Sequence, residues 1–242
     1  MLSISNYWVI VPAAGIGARM RSETPKQYLM LGEKTIIEHT LERLLEIPLL
    51  AGIVVAVSKA DVHWPTLSIS QHPLIHSVEG GIERAHSVLN GLNSLHEKAK
   101  SQDWVLVHDA ARPCVTLGNI KTLIATLCDD PVGGIFALPV SDTLKQVDAQ
   151  QSILSTVDRR SLWQAQTPQL FRYTLLRDCL SQTLARRENI TDESSAVELC
   201  GYSPKVVEGS SNNIKITHSN DLLMAAFILQ QQEKMQTQEN KV

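Results

Sequence analysis

The sequence predicts an α/β fold in which a mostly parallel β-sheet is covered by helices on both faces. Apolar residues fall in short continuous runs, such as residues 8–11, and segments with helical apolar spacing lie between the runs. Strands that are apolar on both faces must be covered on both faces, and interleaved helices provide that cover. A polar stretch at about residues 141–160 interrupts the pattern and predicts a protruding β-hairpin.

The first half of the chain supplies four predicted strands and three predicted helices. The strands are the apolar runs at residues 8–11, 53–57 and 104–107, with a shorter candidate at residues 75–78. The first helix presents an apolar face made of Ile36, Ile37, Leu41, Leu44 and Leu45. The second helix has regular helical spacing of its apolar residues, which are Ala85, Val88, Leu89, Leu92 and Leu95. The third helix spans Leu117–Leu127.

The second half begins with a predicted strand at residues 134–140, followed by the hairpin. The hairpin turns around residues 148–152 and shows only weak apolar alternation. An isolated hairpin is marginal in water. We therefore expect this hairpin to pack on something else, such as a second subunit.

The α/β pattern resumes beyond residue 160. We predict a helix over residues 173–184 and a second helix that Thr191 caps and Gly201 ends. Short strands are predicted at residues 205–207 and 214–216, followed by a last helix that Ser219 caps and that runs to about residue 232. The tail, residues 233–242, is polar and predicted to fray.

Composition limits the classes of protein that fit the chain. With 242 residues, of which 43% are hydrophobic and 19% charged, the chain is predicted to be one globular domain spanning residues 1–242. The net charge of −3 lacks the basic excess typical of nucleic-acid binding, so we expect no nucleic-acid partner. No apolar run reaches the roughly 20 residues that span a bilayer, so we expect no membrane partner.

The chain is also expected to be cytoplasmic. Its first basic residue, Arg19, follows the first apolar run, which is the wrong order for a secretory signal. The cysteines are widely separated and form no CxxC pair: Cys114, Cys128, Cys179 and Cys200. This spacing is typical of free thiols in a reducing compartment and not of a disulfide or zinc framework.

The first predicted strand runs into a glycine-rich turn, PAAGIGARM, at residues 12–20. Glycines let the backbone approach a phosphate, and Arg19 and Lys26 bring positive charge to the same loop. Met20 stands where a dinucleotide-binding turn needs its third glycine, and the Gly-Lys-Ser/Thr of a P-loop is absent. A tight turn without a ligand is the less favoured interpretation, because the segment combines two glycines, two cations and the sequence PKQ at residues 25–27.

Asp109 follows a predicted buried strand, in the segment VHDAARP at residues 107–113. Ligands of parallel sheets bind beyond the carboxyl ends of the strands. A carboxylate there suits Mg²⁺, which takes one or two carboxylates together with substrate phosphates. An aspartate that merely caps a turn is the alternative. His108 is expected to be a hydrogen-bonded strand-end histidine and not a ligand.

A second glycine-rich segment, EGGIERAHS at residues 79–87, precedes a helix. The N-terminus of a helix is a natural site for a nucleotide, and Ser87 could hydrogen-bond a base. Taken alone, the segment is equally typical of an ordinary joint between a strand and a helix.

Together these segments resemble one family, the 2-C-methyl-D-erythritol 4-phosphate cytidylyltransferases of the non-mevalonate isoprenoid pathway. The matching segments keep the family's order over nearly the whole chain: PAAGIGARM (12–20), PKQ (25–27), GGIERAHSV (80–88), VHDAARP (107–113), SDT (141–143), TVDR (156–159), QTPQ (166–169), ITDE (190–193) and NIK (213–215). The resemblance implies a Rossmann-like nucleotidyltransferase fold whose hairpin, at about residues 141–160, is a dimerisation arm embracing a second subunit.

The resemblance also implies a role for individual residues. The nucleotide would contact Pro12, Ala13, Ala14, Gly15, Gly17, Gly81, Ile82, Ser87 and Ala110. Catalysis would rely on Arg19, Lys26 and Lys215, which neutralise the triphosphate. The acceptor substrate would be bound by Asp109, Arg112, Thr143, Arg159, Thr167 and Thr191, with Arg159 reaching across from the partner subunit. Asp109 would also bind Mg²⁺, although other divalent cations are possible. Ile82 departs from the aspartate usual in the family near the cytosine.

The implied reaction transfers CMP from CTP to 2-C-methyl-D-erythritol 4-phosphate by in-line attack and releases pyrophosphate. A phosphate monoester is already ionised near pH 7, so it needs no general base, which agrees with the lack of a Ser/His/Asp or Cys/His set. Two alternatives stay open. The acceptor could be another polyol phosphate, such as ribitol 5-phosphate, or the chain could be an inactive nucleotide-binding regulator.

Overall fold

The computed structural model describes residues 6–15 and 24–239. Among these residues the chain forms eleven strands: β1 (Tyr7–Pro12), β2 (Met30–Leu31), β3 (Lys34–Thr35), β4 (Leu50–Val57), β5 (Ile75–Glu79), β6 (Trp104–Val107), β7 (Gly133–Pro139), β8 (Leu144–Val147), β9 (Ile153–Val157), β10 (Trp163–Arg172) and β11 (Lys205–Glu208). The α-helices of the described residues are α1 (Ile36–Leu45), α2 (Arg84–Asn93), α3 (Leu117–Leu127), α4 (Tyr173–Ala185), α5 (Glu193–Leu199) and α6 (Ser219–Glu239).

Seven strands form the central sheet, in the order β11-β7-β10-β6-β1-β4-β5. Six of them run in one direction, and β10 is antiparallel to both of its neighbours, β6 and β7. The mostly parallel sheet predicted from the apolar runs is therefore confirmed. Strand β10 was not predicted, because its outer half is polar. Its pairing with β7 is irregular between Ala165 and Gln169, a stretch that contains Pro168.

Helices cover both faces of the sheet, as predicted. On one face, Val9 and Val11 of β1 pack in a cluster with residues of α1 and α3. On the other face, Trp8 and Ile10 pack with residues of α2, α4 and α5. Val9, Ile10 and Val11 are fully buried, and burying a side chain of this size stabilises the fold by about 1.5–3 kcal/mol. A third cluster joins α6 to α1 and to the segment after β6.

Local capping explains where α5 starts. The sequence predicts Thr191 as the cap of this helix, but the cap in the structure is Asp192. The Asp192 carboxylate accepts a hydrogen bond from Ser195 N at 2.9 Å, and the Ser195 hydroxyl accepts from Asp192 N at 3.2 Å. This reciprocal pair satisfies two amides that a helix start leaves unpaired. The predicted end is confirmed, because Gly201 follows α5 with a φ of +86°.

The predicted hairpin forms as a two-stranded antiparallel sheet of β8 and β9, separate from the central sheet. Asp148 shapes its turn by accepting hydrogen bonds from Gln150 N at 3.0 Å and Ser152 N at 2.8 Å. Its apolar side chains are largely exposed, at 65% for Ile153 and 61% for Leu154. Within one chain, the hairpin buries little apolar surface of its own.

The C-terminal region differs from the prediction in three ways. Residues 214–216 form no strand but lie as an extended segment, with Ile216 N donating to Ala111 O at 2.9 Å. Ser219 is the first residue of α6 and not its cap, while Asp221 accepts from Thr217 N and His218 N. The helix continues to Glu239, so residues 233–239 are helical instead of frayed. No described helix is long and apolar enough to cross a membrane.

Candidate active site

Two cavities adjoin at the carboxyl edge of the sheet. The first, of about 140 Å³, is lined mainly by residues 12–15, residues 26–27, Ser87 and residues 109–111. The second, of about 270 Å³, is lined mainly by residues on β10 and before α5. We call them the turn cavity and the β10 cavity. Both are also lined by the same three residues, which are Arg84, Asp109 and Lys215. Most of the predicted site residues that the structure describes line one cavity or both.

A larger cavity, of about 550 Å³, lies between α1 and α6. Its walls carry the charged side chains of Glu42, Arg43 and Glu233, and none of the predicted site residues. The predicted site residues that line cavities therefore line the two smaller ones and not this one.

A buried glutamine holds residues 13–15, the described part of the glycine-rich turn after β1, in place. Gln27 lies in a 3₁₀ turn (Lys26–Tyr28), and its Nε2 donates to Ala13 O at 2.7 Å and to Gly15 O at 3.3 Å. Gln27 belongs to the PKQ motif, and its structural role is not evident from the sequence. Two other residues predicted on this turn, Gly17 and Arg19, lie outside the described residues.

The second glycine-rich segment packs directly on the first. A Cβ added to Gly80 would lie 2.3 Å from the Ala14 Cβ, so only glycine permits this approach. Gly81 N donates to the Ser87 hydroxyl at 3.0 Å, and the same hydroxyl donates to Glu83 O at 3.2 Å. Ser87 thus lines the turn cavity and also shapes the loop. The side chain of Ile82 is 96% exposed and lines neither cavity.

Asp109 lies where the two cavities meet, and three cations surround its carboxylate. Arg84 Nε donates to Oδ1 at 3.1 Å, while Oδ2 lies 2.8 Å from Lys215 Nζ and 3.6 Å from Arg112 Nε. Burial alone would raise the pKa of Asp109, but the charges of Arg84 and Lys215 outweigh it and hold that pKa well below the usual range. Asp109 is therefore ionised at neutral pH.

Arg84 also forms a bidentate ion pair with Glu193. Its Nη1 lies 2.6 Å from Oε1 and its Nη2 lies 3.1 Å from Oε2. Glu193 is 1% exposed, and burial raises the pKa of its carboxyl although Arg84 opposes the shift. Burial disfavours the charged guanidinium as well, yet the carboxylates of Glu193 and Asp109 raise the pKa of Arg84. Neither Arg84 nor Glu193 was predicted from the sequence to have a role in the site.

His108 is a buried structural histidine, as predicted. Its Nε2 lies 3.1 Å from Arg112 O, and its Nδ1 lies 3.1 Å from the Thr167 hydroxyl. A carbonyl oxygen only accepts, so Nε2 carries the proton and Nδ1 accepts from Thr167. The Thr167 oxygen in turn accepts from Asp109 N at 3.0 Å. Thr167 lines the β10 cavity, but its hydroxyl also joins β10 to Asp109.

The extended segment at residues 213–217 carries Lys215 into the site. Arg112 Nη1 donates to Asn213 O at 2.6 Å, and Asn213 Nδ2 donates to Thr167 O at 2.7 Å. Lys26 Nζ donates to Ile216 O at 3.0 Å. Hydrogen bonds from both sides of the site therefore fix the segment that carries Lys215.

Two of the predicted acceptor residues are not brought to the cavities by their own chain. Thr143 and Arg159 are both exposed and line neither cavity. The Arg159 guanidinium donates instead to Ser141 O at the base of the hairpin. The remaining four predicted acceptor residues all line the β10 cavity: Asp109, Arg112, Thr167 and Thr191.

The residues around Asp109 do not fit a magnesium ion held by the protein. Both carboxylate oxygens already contact cationic side chains. Among the described residues, no group of three histidine, cysteine, aspartate or glutamate side chains could hold a metal. The ion-pair cluster counts three cations, Arg84, Arg112 and Lys215, against the carboxylates of Asp109 and Glu193. With a net charge of +1, it favours anions.

Comparisons with known proteins give a consistent result. A family model described as 2-C-methyl-D-erythritol 4-phosphate cytidylyltransferase matches residues 7–231. The protein of that name from Vibrio parahaemolyticus serotype O3:K6 is 50% identical over 227 residues, covering 94% of this chain and 97% of the relative. The one from Ectopseudomonas mendocina is 50% identical over 219 residues, covering 90% of this chain and 93% of the relative.

The solved structures that resemble this chain include proteins of the same family. The crystal structure of Francisella tularensis 2-C-methyl-D-erythritol 4-phosphate cytidylyltransferase is 40% identical, with a TM-score of 0.80, and the match covers 93% of this chain and 100% of that one. A crystal structure of a 4-diphosphocytidyl-2C-methyl-D-erythritol synthase is 37% identical, with a TM-score of 0.81, and the match covers 93% and 98%. The range matched by the family model contains every residue that lines the two cavities.

Proposed function

This chain belongs to the 2-C-methyl-D-erythritol 4-phosphate cytidylyltransferase family, the nucleotidyltransferases of that step in isoprenoid biosynthesis, and from that premise we propose how its two cavities divide the substrates. The turn cavity binds CTP, and the β10 cavity binds 2-C-methyl-D-erythritol 4-phosphate. The observation that carries the proposal is that both cavities are lined by Arg84, Asp109 and Lys215, so the two substrates would meet at one charged cluster.

The chemistry at that junction is an in-line displacement. A phosphate oxygen of the acceptor forms a bond to the α-phosphorus of CTP, and the bond from that phosphorus to the bridging oxygen of pyrophosphate breaks. Both substrates are anions, so the chain's main tasks are positioning and charge neutralisation. The acceptor phosphate is already ionised, and no side chain has to remove a proton from it.

In the turn cavity, we assign the backbone of residues 12–15 and Ala110 to the nucleotide. Lys26 and Lys215, which both line this cavity, would neutralise the triphosphate together with Arg19. Ser87 contributes by shaping the loop that contains Gly81. The exposed position of Ile82 leaves its side chain able to contact a base only at the mouth of the cavity.

In the β10 cavity, we assign Arg112 and Thr191 to the acceptor phosphate. Thr167 contributes there as well, within the limits set by its hydrogen bonds to His108 and Asp109. Thr143 and Arg159 would complete this cavity from a second copy of the chain. The exposed apolar side chains of the hairpin support such a homodimer, because they need a partner surface to bury them.

We propose that Mg²⁺ enters with CTP, bound by the nucleotide's phosphates, and that Asp109 is not its resident ligand. Mg²⁺ is commonly held mainly by substrate phosphates, and Asp109 is already engaged with three cations. We also propose that residues 1–242 act as one domain in the cytoplasm. The free cysteines of the described residues suit a reducing compartment.

A pyrophosphate-release assay tests the substrate assignment. The wild-type chain is incubated with CTP, Mg²⁺ and one of several acceptors: 2-C-methyl-D-erythritol 4-phosphate, ribitol 5-phosphate or erythritol 4-phosphate. We expect turnover with the first and little with the others. Preferred turnover of ribitol 5-phosphate would identify a different acceptor. CTP binding without turnover of any acceptor would favour a nucleotide-binding regulator.

A further inference from the structure

An ion pair between Arg84 and Glu193 links the two cavities, and the proposed reaction gives it no direct task. Arg84 is the first residue of α2, directly after the loop that packs on the glycine-rich turn. Glu193 is the first residue of α5, two positions after Thr191 at the β10 cavity. The pair therefore connects the segment proposed to bind the nucleotide with the segment proposed to bind the acceptor.

The geometry of Arg84 is that of a bridge between two carboxylates. Its two terminal nitrogens contact Glu193 at 2.6 and 3.1 Å, and its Nε contacts Asp109 Oδ1 at 3.1 Å. A planar guanidinium can serve both carboxylates at once because its donors point in fixed directions. Glu193 is 1% exposed and paired with Arg84, so it cannot itself reach a substrate in the cavity.

Asp109 in turn fixes Lys215. Asp109 Oδ2 lies 2.8 Å from Lys215 Nζ, and Asp109 Oδ1 accepts a hydrogen bond from Arg84 Nε. A carboxylate held on both oxygens cannot rotate freely, so the ammonium bound to it has a defined place. The contacts form one chain: Glu193 holds Arg84, Arg84 holds Asp109, and Asp109 holds Lys215.

We propose that Glu193 and Arg84 are positioning residues, which orient Asp109 and thereby fix Lys215 at the junction of the two substrates. This inference rests on the proposed function, because it gives Lys215 its task. Without Glu193, the Arg84 guanidinium would turn towards the substrate anions and release Asp109. The enzyme would still bind CTP, but the charges that meet the transition state would be misplaced.

Three variants test this chain of contacts. Glu193→Gln keeps the volume of the side chain and removes its charge. Arg84→Lys keeps the charge and removes the fork that serves two carboxylates. The third variant combines both changes. Asp130→Asn is the matched control, because Asp130 is also a buried carboxylate paired with a cation, Lys205, but lies outside both cavities.

We expect each single change to lower kcat about 10–100-fold, since small misplacements of catalytic groups have effects of this size. The KM for CTP should change less than about threefold. The double variant should be no slower than the slower single variant, because Glu193 acts through Arg84. Asp130→Asn should keep the wild-type kcat. Thermal unfolding of all variants shows whether any loss follows from lost stability.

Several results would overturn the inference. Wild-type kcat in both single variants would do so, and so would losses that multiply in the double variant. Full activity of Arg84→Lys would mean that the charge matters and the bridge does not. If Glu193→Gln fails to fold, Arg84→Lys alone still decides, since Arg84 is partly exposed. An inactive wild-type enzyme would refute the proposed function first, an outcome distinct from active but unaltered variants.

Discussion

Replacing His108 with glutamine should remove a measurable part of the pH dependence of stability. His108 is fully buried between Arg112 O and the Thr167 hydroxyl. Burial lowers its pKa from 6.5 to about 4. Because the folded-state pKa lies below the unfolded one, the stabilisation is complete above pH 6.5 and is lost as the pH falls towards 4.

The size of the effect follows from the two pKa values. The full difference between 6.5 and about 4 corresponds to about 3 kcal/mol of unfolding free energy. Linkage places about 2 kcal/mol of that loss between pH 7 and pH 5, where the unfolded chain takes up the proton and the folded chain does not. Between these pH values, wild-type stability should therefore fall about 2 kcal/mol further than that of His108→Gln.

Urea unfolding followed by tryptophan fluorescence measures this difference. The variant should be less stable at pH 7 by about 1–3 kcal/mol, because it leaves the Thr167 hydroxyl without its acceptor. Protein concentration must be equal in all samples, since the proposed dimer would unfold in a concentration-dependent way. His96→Gln, at an exposed position, is the matched control and should keep the wild-type pH dependence. Equal losses in the wild type and His108→Gln would refute the reasoning.

Three further predictions concern the reaction. Lys26→Ala should lower kcat about 10²–10³-fold, because it removes one preorganised donor to the phosphates; normal CTP binding with near wild-type turnover would contradict this. The kcat/KM for CTP should exceed that for UTP, because a site built to hydrogen-bond the exocyclic amine of cytosine rejects an analogue that lacks this group. Equal values would point to Ile82 as the cause, and Ile82→Asp should then restore the preference for CTP. Arg159→Ala and Lys26→Ala homodimers should each be nearly inactive, while mixed dimers regain activity at one site; inactive mixed dimers would exclude Arg159 acting across the subunits.

The fold was largely predictable because buried parallel strands leave a direct trace in sequence. Four strands of the central sheet, β1, β4, β6 and β7, contain continuous apolar runs, whereas β5 and β11 are shorter and more polar. β10 leaves no such trace. Its outer half carries glutamines such as Gln164 and Gln166, and Pro168 normally argues against a central strand. Tertiary position between β6 and β7 overrides these local preferences, and local patterns carry no information about it.

The site was predictable where one segment carries a whole feature. Residues 12–15 of the glycine-rich turn and the carboxylate after β6 belong to local patterns, and both line the cavities. The Arg84–Glu193 ion pair joins residues 109 positions apart, so no spacing rule could pair them. Arg84 lies in the motif GGIERAHSV, and Glu193 lies in the motif ITDE. Only the fold brings these two motifs together.

The presence of Asp109 in a site proposed to bind two anions has a physical explanation. An isolated buried carboxylate would repel both phosphates, yet this one contacts Arg84, Arg112 and Lys215. Its charge is more than neutralised, so the cluster as a whole attracts anions. What the carboxylate adds is position, because three long, flexible cationic side chains acquire fixed places around one small group. A site that depends on preorganised charge gains more from that order than it loses from one negative charge.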